Sequence, residues 1–130
     1  MCMSSDFAAS CARADVVARR CVGAVVDRLD VSGAAGSGVV DLHLAQVADA
    51  GGVVFRFESV RVLSVSDLAL VGEAFVDEMS VMHLPKTGAW PPGTGSIIDL
   101  HDEMGEQAWV RLHGPLVLAL VCGAITVDAA

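Results

Sequence analysis

Apolar and polar residues alternate with a two-residue period through positions 39–66. Val40, Leu42 and Leu44 alternate with Asp41 and His43, and Val53, Phe55 and Phe57 alternate with Val54, Arg56 and Glu58. That period is the mark of a strand with one face buried. Between the two runs lies Ala48-Asp49-Ala50-Gly51-Gly52, whose glycines can take the positive φ of a tight reversal. The stretch therefore predicts a β-hairpin with a continuing strand. Val60 and Val62 fall out of phase with Phe57, which predicts a bulge near Glu58-Ser59. Arg61, Leu63 and Val65 then share the other face.

Upstream the period changes. Phe7, Cys11, Ala14, Ala18, Cys21 and Val25 recur at intervals of four, three, four, three and four. They form one stripe of a helix over residues 5–22. Ser5 can cap it, Asp6 suits its first turn and Gly23 ends it. The stripe is made of small residues, so the helix can lie close against a sheet. Val25 to Val31 reads as a strand, and SGAAGSG at 32–38 as a loop. Those glycines lead into a strand with no following Lys, unlike a P-loop, and the phosphate reading is set aside.

Downstream, Leu68 to Leu84 fits both periods. Leu68, Val71, Phe75, Met79 and Met82 make a helical stripe, whereas Phe75, Met79 and Val81 fit a strand interrupted by Asp77. The favoured reading is a loop or short helical turn, then a strand over about Phe75 to His83. Three prolines and three glycines within Pro85 to Ser96 exclude regular structure there. Ile98 and Leu100 restart a strand, Asp102 to Gln107 reads as an acidic turn, and Val110 and Leu112 alternate with Trp109, Arg111 and His113. Leu116 to Cys122 is apolar on both faces, as in a central strand, and Gly123 permits a bend before Ile125 and Val127.

These elements predict a mainly β (α+β) fold: an antiparallel β-sandwich or rolled sheet with one N-terminal helix. Residues 1–130 form one domain, with 1–4 frayed, a helix at 5–22, and antiparallel β at 25–128 broken by the loop at 85–96. Leu42, Leu44, Phe55, Phe57, Val110, Leu112, Leu118 and Leu120 are the expected core.

Composition adds three constraints. The chain has 130 residues, enough for a core that needs no staple. It is 54% hydrophobic with a mean hydropathy of +0.60, yet no apolar run reaches the roughly 18 residues of a membrane helix. The net charge is -8, and from Leu63 onward nine acids stand against Lys86 and Arg111. That balance disfavours nucleic acid and anionic lipid. It either keeps an apolar protein in solution or attracts a basic partner. The four cysteines, Cys2, Cys11, Cys21 and Cys122, form no CxxC pair, and no signal peptide is read at the N-terminus. Free thiols in a reducing bacterial cytoplasm are expected, with Cys11, Cys21 and Cys122 as small core residues.

Candidate chemistry is sparse, and no cofactor or catalytic residue is assigned. Trp90, stiffened by Pro91, either covers the edge of its own core or serves as a rigid contact for a partner. With Asp99, Asp102, Glu103 and Glu106 it makes the expected partner-binding set. The triplets Asp41-Leu42-His43 and Asp99-Leu100-His101 each place a carboxylate and an imidazole on one strand face. With His113 they would form a metal site only if their strands were neighbours. Without that adjacency they are a wet sheet face.

The alternating hairpin, Phe55-Arg56-Phe57-Glu58-Ser59-Val60-Arg61-Val62-Leu63, the Trp90-Pro91 loop and Val110-Arg111-Leu112-His113-Gly114-Pro115 together resemble the small β-rich immunity proteins of bacterial toxin systems. The resemblance covers about residues 39–127. It implies a non-enzymatic cytoplasmic protein, monomer or homodimer, that binds and blocks one toxin through an acidic surface. The alternative is a small metal- or ligand-binding β protein, with possible enzymatic activity, centred on His43, His101 and His113.

Overall fold

The computed structural model describes residues 6–33, 38–47, 51–84 and 106–129. The expected frayed start, the reversal at 48–50, the loop at 85–96 and the strand at 98–101 lie outside them, as does most of the acidic turn.

Among the described residues one helix, α1 (Asp6–Arg19), is followed by eight strands: β1 (Val25–Ser32), β2 (Gly38–Val47), β3 (Gly51–Val60), β4 (Val62–Ser66), β5 (Glu78–Leu84), β6 (Gln107–His113), β7 (Val117–Cys122) and β8 (Ala124–Ala129). All pairings are antiparallel. They build two four-stranded sheets, ordered β1-β2-β3-β8 and β4-β7-β6-β5.

The hairpin register puts Val40 opposite Phe57, Leu42 opposite Phe55 and Leu44 opposite Val53. All six side chains are buried. Val110 and Leu112 from β6 and Leu118 and Leu120 from β7 complete the same core from the other sheet. Each fully buried Leu or Phe contributes about 1.5–3 kcal/mol, so this alternation is the main source of stability. Gly51, at φ 75, provides the positive φ expected at the reversal.

The phase slip after Phe57 is a bulge. Gly38 pairs with Val60 and Val39 with Glu58, leaving Ser59 unpaired at φ 54. There the chain leaves the first sheet and enters the second. Gly123 marks the return crossing from β7 to β8. The two corners are joined by Gly123 N–H to Glu58 O at 3.0 Å and Arg61 N–H to Val121 O at 2.8 Å. The chain thus folds β3-β4 and β7-β8 as two bent ribbons that run side by side through both sheets.

The helix buries Cys11, Ala14 and Ala18, with Cys21 just beyond it. It ends at Arg19, earlier than expected, because residues 20–23 tighten into a turn closed by Cys21 N–H to Ala18 O and finished by Gly23 at φ 90. It packs against the edge strands β5 and β8, so its small stripe closes one open side between the sheets. Among the described residues no helix is long and apolar enough to cross a membrane.

The ambiguous 68–84 stretch resolves into a 3-10 turn, Leu68–Leu70, an extended link, and β5. The link runs antiparallel to the start of β1: Gly72 N–H donates to Val26 O, Val26 N–H to Ala74 O, and Val76 N–H to Ala24 O. It buries Ala74 and Val76 and turns Phe75 outward. At Asp77 the chain crosses to the second sheet, its N–H donating to His113 O at 2.8 Å.

Candidate functional site

The outer face of the first sheet is ionisable, as its alternation required. Arg28, Asp30, Asp41, His43, Arg56 and Glu58 alternate with core residues on β1, β2 and β3. Asp41 Oδ2 lies 3.4 Å from Arg56 Nη1. The carboxylate near His43 is that of Asp30 on the neighbouring strand, 3.7 Å from Nε2, rather than that of Asp41 in its own triplet. These are half-exposed pairs of the kind that contribute little to stability.

His43 and His113 do not come together. His43 stands between Leu42 and Leu44, and His113 follows Leu112, so both point away from the shared core, on different sheets. His101 is outside the described residues. Among the described residues no group of three His, Cys, Asp or Glu side chains could hold a metal ion.

Of the expected partner-binding set, Trp90, Asp99, Asp102 and Glu103 lie outside the described residues. Glu106 is described, at the mouth of β6. Its Oε1 is 2.7 Å from His83 Nε2, and both side chains are partly buried. The His83 ring also meets Phe7 of α1 edge-on, with centroids 6.0 Å apart. Glu106 is therefore tied to the seam between α1, β5 and β6, not held as an isolated surface acid. Sequence reading missed His83. Its only signal was its place between the partly buried Met82 and the buried Leu84, which is ordinary for a strand.

The thiols of the seam are poor nucleophiles. Burial pushes Cys11 up to about 11, with the charge of Glu106 adding to it. Burial pushes Cys21 up to about 11 against the opposing pull of Arg20. Cys122 is pushed up to about 12, by burial first and then by Cys11, against a backbone hydrogen bond from Ala124. A reactive cysteine needs its pKa lowered, not raised. All three are core residues, as the sequence indicated.

Two surface features were not foreseen. The outer face of the second sheet is not wet throughout: Met82, Trp109, Val121 and Val62 line up across all four strands. With Leu84 they form a second apolar cluster in which Trp109 is 5% exposed and Val121 0%. The Arg111 guanidinium lies 4.4 Å over the Trp109 ring, a cation–π contact. The other feature is Phe75, 49% exposed. Glu73, Asp77 and Glu78 around it are also exposed. Backbone hydrogen bonds on both sides hold this segment extended, so the ring is presented on a fixed backbone.

Compared with known protein families, curated proteins and solved structures, the chain matches none.

Proposed function

We propose that the chain is a non-catalytic protein-binding module of immunity type, which blocks a basic toxin in the cytoplasm through an acidic surface. The observation that carries this reading is the exposed Phe75 among Glu73, Asp77 and Glu78. Aromatic anchors supply much of the energy of protein interfaces, and acids around them select a basic partner and speed encounter. A backbone already held on both sides loses little further freedom on binding. Trp90 and the acids Asp99, Asp102 and Glu103 offer the same chemistry further along the sequence, whereas Glu106 is engaged with His83.

The test is to co-express the chain with the products of the genes beside its own and measure capture of each. Phe75→Ala should weaken capture about tenfold, within the range for a moderate anchor. Asp102→Lys with Glu103→Lys should weaken capture and flatten its dependence on salt. Capture that both variants leave unchanged, at low and high salt alike, would count against the reading.

A further inference from the structure

The helix treats its two neighbouring sheet edges differently. On the β5 side the Asp15 carboxylate accepts the Val81 N–H at 2.9 Å, which occupies the edge. On the β8 side a groove separates helix and strand. Its walls and floor are Ala14 and Val17 from the helix and Ile125 and Val127 from the strand, and Arg13 and Arg20 stand at its rim. β8 hydrogen-bonds β3 on one side, and among the described residues no strand lies on its other side. An edge strand leaves alternate N–H and C=O groups unpaired, which is the template for strand addition.

Among the described residues the rim carries an excess of positive charge. Arg19, Arg28 and Arg56 each have a carboxylate partner. Arg13 instead donates to Ser10 Oγ at 3.1 Å, and among the described residues neither Arg13 nor Arg20 has a carboxylate within salt-bridge reach. Asp128, at the far end of the groove, offsets one of the two charges. The groove is thus a cationic, apolar-floored edge on a chain of net charge -8.

We infer that this edge receives an extended segment of a partner protein that combines apolar and acidic side chains and pairs as a fifth strand on β8. Its backbone pairs along the outer edge of β8, its apolar side chains meet the floor, and its carboxylates meet Arg13 and Arg20. Arg20, just past the end of the helix, is seven positions beyond Arg13, about 10 Å along the axis. That distance is about three residues of strand, so carboxylates two to four positions apart reach both. A second copy of this chain fits less well, because edge-to-edge pairing brings both arginine rims to the same seam. The inference does not rest on the acidic-face reading above.

The test uses the 130-residue chain, labelled with nitrogen-15, and two capped nonapeptides of alternating Val with Glu or Val with Lys. The glutamate peptide should shift the amide signals of Ile125–Asp128 and of α1 around Arg13–Arg20, with at least about tenfold preference over the lysine peptide. Arg13→Glu with Arg20→Glu, both exposed and safe for the fold, should reverse that preference. Equal response to the two peptides, shifts confined to other surfaces, or concentration-dependent pairing of β8 with itself in the absence of peptide would each overturn it.

Discussion

The Asp15 carboxylate of α1 accepts the backbone N–H of Val81 in β5 at 2.9 Å, across 66 residues of sequence. Its other oxygen accepts from Arg19 Nε at 2.8 Å. The helix is thereby fixed to the sheet by one partly buried hydrogen bond as well as by its apolar stripe. Asp15→Ala should cost about 1–3 kcal/mol, since it leaves the Val81 N–H without its acceptor. Asp15→Asn keeps an acceptor oxygen and should cost less than half as much. Arg19→Ala, at an exposed pair, should leave the urea midpoint unchanged. Hydrogen exchange at Val81 separates these outcomes, because only loss of the acceptor should speed that one amide.

Gly114 and Phe75 approach too closely for any other residue at 114. A Cβ at Gly114 would lie 2.3 Å from the Phe75 carbonyl oxygen, which is backbone and cannot swing aside. Gly114→Ala should therefore destabilise by about 2–3 kcal/mol, as overpacking does. The expected fall in Tm is roughly 10 °C. The strain falls on the link that presents Phe75, so partner capture should weaken as well. A Tm within about 2 °C of the parent protein would show that the link yields freely.

The periodic parts of the fold were readable because their physics is local. Leu42, Leu44, Phe55 and Phe57 reveal a buried face by spacing alone, and so does the helix stripe through Cys11, Ala14 and Ala18. The bulge at Ser59 was readable as a slip in phase. What depends on strand adjacency was not. Spacing places Trp109 and Val121 outward but cannot say that a neighbour makes that side apolar. Spacing also pairs Asp41 with His43, yet the carboxylate that approaches the imidazole belongs to Asp30 on another strand. Phe75 reads as a core residue by type, and only the pairing of its flanks with Ala24 and Val26 turns it outward. Of the site expected from sequence, Glu106 is described, and its link to His83 joins residues 23 positions apart.

The buried thiols make the protein sensitive to alkali. Cys11 and Cys21 are pushed up to about 11 and Cys122 to about 12, all chiefly by burial. The folded state therefore holds protons that the unfolded chain releases near pH 9. Stability from these groups is complete below about pH 9 and is lost as pH rises through about 11 to 12. The sequence has no tyrosine and one lysine, so few other groups titrate in that window. Urea unfolding at pH 8, 9 and 10 should show a falling free energy, and Cys11→Ala with Cys21→Ala should flatten the fall. Iodoacetamide at pH 8 should spare Cys11, Cys21 and Cys122 in the folded protein and modify them in urea, as read by mass spectrometry. Rapid modification of Cys122 in the folded state would contradict the burial on which this rests.

Ser59 and Gly123 should behave as a coupled pair, because the two sheet-crossing corners touch there. A Cβ at Gly123 would sit 3.1 Å from the Ser59 Cβ, tighter than ordinary contact. Ser59 itself is held at φ 54, where a side chain is disfavoured by about 1 kcal/mol. Ser59→Gly should therefore stabilise the protein by up to about 1 kcal/mol, by removing that penalty. Gly123→Ala alone should destabilise by about 1 kcal/mol, from the crowded corner. In the Ser59→Gly background the same change should cost almost nothing, since the opposing Cβ is gone. The double-mutant cycle should then give a coupling near 1 kcal/mol, where distant sites would add. Strict additivity in urea unfolding would mean that the corners part freely and that β3-β4 and β7-β8 do not bend as one unit.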